Sequence, residues 1–104
     1  MQEILKLKKP VMIDGEEKTE IAYDLDNLTG ADVQRVTKEL QLQENYIPTV
    51  PEIDQNYNAA LFAVAAGIAR EDVKRFSLKD YAEAAGKVRA FFLADAEEQL
   101  EQNI

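Results

Sequence analysis

The residues able to do chemistry in this chain are almost all carboxylates. Its 104 residues include 20 Asp and Glu against 12 Lys and Arg, with no His and no Cys. Without imidazole or thiol, the usual general base at neutral pH, the soft metal ligands and the Cys–His nucleophile pair are all excluded. Two carboxylate groupings remain, Asp24-Leu25-Asp26 and Asp14-Gly15-Glu16-Glu17. Neither has the twelve-residue spacing of a calcium loop, and they read as a strand end and a turn. The glycines at 15, 30, 67 and 86 are scattered, so there is no phosphate-cradling loop. Ser77, the only serine, stands before Leu78-Lys79-Asp80, where a helix cap already accounts for it. The reading is therefore a protein that binds another protein and is no enzyme. No catalytic, cofactor-binding or metal residue is expected.

The candidate contact residues are apolar. Phe91, Phe92 and Leu93, with Tyr81 earlier on the same helix, form the main group. Adjacent residues on a helix point about 100° apart, so both Phe rings are buried only where the core wraps that side widely. Each ring has two readings, core aromatic or partner contact. The Ala-rich segment around Ala59–Ala66 permits close helix approach, inside the domain or to a partner.

These residues need elements to position them. Residues 3–25 alternate with period two: Leu5, Leu7, Val11 and Ile13 on the first arm, Thr19, Ile21, Tyr23 and Leu25 on the second. That pattern predicts a β-hairpin. A two-residue Asp14-Gly15 loop would set odd positions against even ones and split the apolar sets between two faces. The expected turn is therefore a three-residue loop Ile13-Asp14-Gly15, pairing Leu7 with Ile21 and Leu5 with Tyr23. Pro10 suits an edge or a bulge.

Helices are expected over 30–43, 55–68, 70–75 and 78–94 or longer, as a small bundle of three to four. Thr29 with Asp32, Asp54, and Ser77 with Asp80 supply the caps. Tyr57, Leu61, Val64 and Ile68 mark one stripe, and Leu78, Tyr81, Ala85, Val88 and Phe92 another. The Asn45–Glu52 stretch, with Pro48 and Pro51, reads as a linker that packs Tyr46, Ile47 and Val50 against the core. The class is α+β, one domain over 1–104, with 95–104 an acidic end that frays or continues the helix.

Leu, Ile, Val and Phe total 28 residues, enough for a core. The net charge of −8 is uneven: −4 over residues 26–54, +2 over 55–94 and −4 over 95–104. This opposes nucleic-acid binding, which needs a basic stripe. With no signal-like start and no long apolar run, the protein is expected in the cytoplasm and off the membrane.

The order of parts resembles the tail-assembly chaperones of tailed bacteriophages, in the Mu-like and P2-like myophage group. The resembling residues run from Ile4-Leu5-Lys6-Leu7-Lys8-Lys9-Pro10-Val11 through Ile13-Asp14-Gly15-Glu16-Glu17 to Tyr23–Asp32. They continue with Tyr57–Leu61, Ala65-Ala66-Gly67-Ile68, Asp72-Val73 and Phe91-Phe92-Leu93. The resemblance implies a chaperone that binds the tape measure protein and keeps it soluble until the tail tube polymerises. It also implies residence in the host cytoplasm, absence from the virion, self-association and a longer frameshifted form. The alternative is a small acidic adaptor or inhibitor of a basic partner.

Overall fold

A computed structural model describes residues 2–47 and 54–102, with side chains as far as residue 94. Pro48, Val50 and Pro51 of the expected linker lie outside the described residues. Two strands, β1 (Glu3–Ile13) and β2 (Glu16–Tyr23), form an antiparallel hairpin. A 3-10 turn, Leu25–Asn27, leads to α1 (Gly30–Glu44), α2 (Gln55–Ala66), α3 (Arg70–Lys74) and α4 (Leu78–Gln102). This is the α+β arrangement expected. No described helix is long and apolar enough to cross a membrane.

The hairpin departs from the expected register. Its loop is the two-residue Asp14-Gly15, both with positive φ (52° and 81°), as a type I′ turn requires. Ile13 pairs with Glu16 and Val11 with Lys18; further on, Leu5 pairs with Ile21 and Glu3 with Tyr23. Between Lys6 and Val11 the register shifts, so that residues 7–10 stand against Thr19 alone. The expected pairs Leu7–Ile21 and Leu5–Tyr23 do not form, because the offset between the strands is not constant. An odd shift restores what the tight turn would have lost. Beyond the bulge, Leu5, Ile21 and Tyr23 all lie buried on one face, as Val11 and Ile13 do nearer the turn.

The bulge leaves backbone amides without a partner strand, and α4 supplies one. The Asp80 carboxylate accepts from the Lys8 amide at 2.9 and 3.0 Å and from the Lys9 amide at 3.2 Å. The Ser77 hydroxyl donates to it at 2.9 Å, while the Asp80 amide donates back to Ser77 Oγ at 3.2 Å. Ser77 therefore caps α4 as expected, and Asp80 faces inward, fully buried. Leu78, expected in the inward stripe, is 81% exposed instead.

The other helix ends follow their caps. Thr29 and Asp32 exchange hydrogen bonds at 2.9 and 3.2 Å, a complete capping box. Asp54 accepts from the Tyr57 amide at 2.9 Å. Gly67 (φ 68°) ends α2 two residues earlier than the stripe suggested, and the Ile68 amide returns to the Ala63 carbonyl at 3.0 Å. Asp24-Leu25-Asp26 is no strand end: Asp24 caps the 3-10 turn, accepting from the Asp26 amide at 3.1 Å.

α2 is the axis of the domain. Tyr57 through Ala63 are all buried, against α1, α3, α4 and β2. Ala59, Ala60 and Ala63 let neighbours approach from several sides, and Phe62 fills the centre. Its ring lies 4.9 Å from that of Tyr23 and 6.4 Å, edge-on, from that of Phe76.

Two titrations report on this framework. Burial alone would raise the Asp80 pKa, but the Lys8 and Lys9 amides and the Ser77 hydroxyl together hold it below the usual carboxylate value. A depressed pKa adds stability that is present above the unfolded value, about 4, and is lost as pH falls through the folded one. Asp80→Asn should cost about 2–4 kcal/mol in urea unfolding at pH 7. The variant should also lose less stability than the wild type on acidification below about pH 4. Burial, with the Glu3 carboxylate, pushes the Tyr23 phenol up to about 12. The raised pKa makes stability decline as pH climbs past about 10, the unfolded value. Tyr23→Phe should flatten, without abolishing, that alkaline limb, since Tyr46 and Tyr81 are also raised.

Candidate partner-binding surfaces

The carboxylates of the expected turn and strand end are occupied by structure. Glu16 pairs with Lys18 at 2.8 Å, which lowers its pKa, and Asp24 serves its cap. Among the described residues no three acids converge as a metal site would require. What remains is surface, in two places.

The first is a cleft of about 260 Å³ where the end of α1, the start of α2, α3 and Tyr81 of α4 meet. Its floor is apolar, from Leu40, Ala59, Ala60 and Val73, and two phenols stand at its rim. Asn45, in the left-handed conformation, ends α1 and turns Tyr46 toward the core. The Tyr46 hydroxyl donates to the Asp54 carboxylate, and that bond raises the phenol pKa. The Tyr81 hydroxyl donates to Asn56 Oδ1 at 2.9 Å, and burial raises its pKa. Ile47, expected against the core, is exposed. Arg70 is drawn in by Glu44 at 3.2 Å, Glu39 at 3.5 Å and the Gln43 side chain at 2.7 Å. The cleft is an amphipathic recess whose phenols are hydrogen-bonded, while the buried Arg70 Nε has the Glu44 carboxylate at 3.2 Å but no well-aligned hydrogen bond.

The second place is the far end of α4. Asp80, Ala84, Ala85 and Val88 are buried, and Val88 is the last buried residue among the described side chains. The backbone stays helical to Gln102, another 14 residues, or about 21 Å at 1.5 Å per residue. Phe92 is half-buried against the core, while Phe91 and Leu93 are 36% and 48% exposed. The Phe91 and Phe92 rings meet edge to face at 6.4 Å and make one aromatic ridge.

The four contact residues expected from sequence do not form one patch. Tyr81 stands at the cleft, ten residues and about 15 Å of helix away from Phe91. Leu93 projects nearly opposite Phe91, two residues and about 200° round the helix. Phe91 and Phe92 come together; Leu93 belongs to another face. Tyr46 and Asn56 were not read as site residues, and nothing in their local pattern points to the cleft. They reach the cleft through tertiary contacts, Tyr46 with Asp54 and Asn56 with Tyr81.

A family model described as "Phage tail assembly chaperone proteins, E, or 41 or 14" matches residues 5–93. That span takes in all but the first two residues of the hairpin, all four helix starts and the aromatic ridge. No curated protein and no solved structure matches the chain.

The different surroundings of the two Phe rings are separable by mutation. Phe92→Ala should lower unfolding free energy by about 1–3 kcal/mol, a partial version of a core Phe truncation. Phe91→Ala should stay within about 0.5 kcal/mol of wild type. Thermal and urea unfolding of the two variants side by side measure this difference.

Proposed function

We propose that this chain, which belongs to the phage tail assembly chaperone family, binds the tape measure protein and keeps it soluble until tube subunits polymerise around it. The observation that supports this reading best is the aromatic ridge, held out on a helix that runs past its own core. A long helical client presents apolar stripes at 3–4-residue spacing, which aggregate when left uncovered. An exposed phenylalanine beside a half-buried one offers such a stripe a place to sit, helix against ridge. Burying one aromatic side chain contributes roughly 1.5–3 kcal/mol, so a single contact is weak. Many copies along one client hold it by multivalency, and each is displaced singly as the tube grows. The net charge of −8 keeps a coated client soluble. In this reading the protein is non-enzymatic, works in the cytoplasm of the bacterial host, is absent from the finished virion and has a longer frameshifted form. Tyr81, at the rim of the cleft, offers a second contact for an apolar side chain of the client.

Co-expression with the native tape measure protein tests this. Wild type should shift the client into the soluble fraction and co-purify with it. Phe91→Ala, folded and of wild-type stability, should recover at least about fivefold less soluble client, as expected for loss of 1 kcal/mol or more per site. An insoluble client in the presence of wild type would sink the chaperone reading. Equal rescue by Phe91→Ala would move the contact off the ridge.

A further inference from the structure

We infer that the cleft between α1, α2, α3 and Tyr81 of α4 is a socket for one tryptophan side chain of a helical protein client, its indole N–H donating to the Tyr81 hydroxyl oxygen. The size of the recess sets the scale. At about 260 Å³ it falls below the roughly 300–1,000 Å³ of a small-molecule site, so one side chain fills it. Its floor of Leu40, Ala59, Ala60 and Val73 calls for an apolar body. Only the partner's identity rests on the proposed function; the chemistry of the socket comes from this chain's own residues.

The polar side of the socket follows from where each hydrogen goes. Both phenols have raised pKa values and stay protonated at neutral pH. Tyr46 gives its hydrogen to the Asp54 carboxylate, which has none to offer in return. Asn56 therefore meets the Tyr46 oxygen with its amide N–H, and that bond partly offsets the rise in the Tyr46 pKa. This leaves Asn56 Oδ1 to accept from Tyr81, at 2.9 Å. The chain Tyr81–Asn56–Tyr46 thus runs toward Asp54. Its open end is the Tyr81 oxygen, whose hydrogen is spent and whose lone pairs are not. A side chain that covers this oxygen without donating to it strips water away and gives nothing back.

Charge narrows the choice further. Arg70 and Lys74 line the recess, and both already face carboxylates: Glu39 at 3.5 Å and Glu44 at 3.2 Å for Arg70, Glu44 and Glu71 for Lys74. A third cation would be repelled, and an incoming carboxylate would compete with acids already in place. The ligand is therefore neutral. Among neutral apolar side chains, Leu and Phe have no donor to offer. Tyrosine brings an acceptor oxygen close to the Glu44 and Asp54 carboxylates, whereas indole joins a large apolar body to a single donor and no acceptor. A free tryptophan would carry an ammonium and a carboxylate, for which no vacant counter-ion stands here. A residue within a chain carries neither, and tryptophan is among the commonest anchors of protein interfaces.

N-acetyltryptophanamide, an uncharged stand-in for the residue, tests the socket on the full chain with no client present. In proton–nitrogen NMR titrations it should move the amide signals of Ala59, Ala60 and Val73, with Kd on the order of 1 mM. The chain has no tryptophan of its own, so a blue shift of the ligand's fluorescence reports the same event against no background. The N-methylindole analogue, which lacks the N–H, should bind at least about fivefold more weakly, as should N-acetylphenylalaninamide. Tyr81→Phe keeps the ring and removes the acceptor, so it should bring the two indoles within about twofold of each other. Were that variant to misfold, the comparison of the two indoles on wild type still decides. No shift at the cleft with about 10 mM ligand would overturn the proposal. So would equal binding of both indoles by wild type, or a preference that survives Tyr81→Phe. Free tryptophan bound at least about tenfold more tightly than the capped amide would overturn it too, since the recess would then serve a metabolite. None of these results bears on rescue of the tape measure protein through the ridge, so the two readings fail separately.

Discussion

One buried carboxylate organises this fold. Asp80 is removed from water, and that is tolerable only because two amides and a hydroxyl surround it. The amides come from Lys8 and Lys9, more than seventy residues earlier, at the point where β1 departs from its ladder. Each side of this contact explains the other. Without the carboxylate, the bulge would leave backbone donors unpaired in a part-buried site. Without the bulge, the carboxylate would keep only the Ser77 hydroxyl as a donor, too little to offset its burial. The shift of register brought about by the bulge then decides which hairpin residues reach the core. Leu5, Ile21 and Tyr23 can share a face with Val11 and Ile13 only because of it.

From that junction the rest is packing around α2. A helix buried on all sides cannot show an amphipathic stripe, and Tyr57–Ala63 accordingly reads as mostly apolar, with three alanines among larger Tyr57, Leu61 and Phe62 and one buried polar residue, Asn58. Its alanines make it narrow, so that α1, α4 and the hairpin all reach it. Phe62 occupies the volume that remains, between Tyr23 and Phe76. The same narrowness sets the cleft: Ala59 and Ala60 form part of its floor, and a larger residue at either position would fill it.

What the sequence made legible was local. Thr29 with Asp32, Asp54 before Tyr57, and Ser77 before Asp80 each act within four residues, and each marks a helix start correctly. The hairpin and the place of its turn were equally readable, although the loop closes with two residues, Asp14-Gly15, and not the expected three. The register was not, because the expectation assumed a constant offset, and the interaction that changes the offset joins β1 to α4. Leu78 failed for a related reason. A stripe drawn by periodicity placed it inward, but Asp80 claims the inward position at that end of the helix. Of the contact residues, periodicity recognised Phe91 and Phe92 as a group, and their unequal burial depends on where the core ends. That end is set by α2 and the hairpin, not by α4 itself.

The length of α4 gives its final turns a different status from the rest of the chain. Residues up to Val88 are held by burial against α2 and β1; over residues 89–94 only Phe92 is packed against the core. A helical stretch with so little packing leans on its alanines and other good helix formers. A client seated on the aromatic ridge, as the proposed function has it, would stabilise the helix on which it sits.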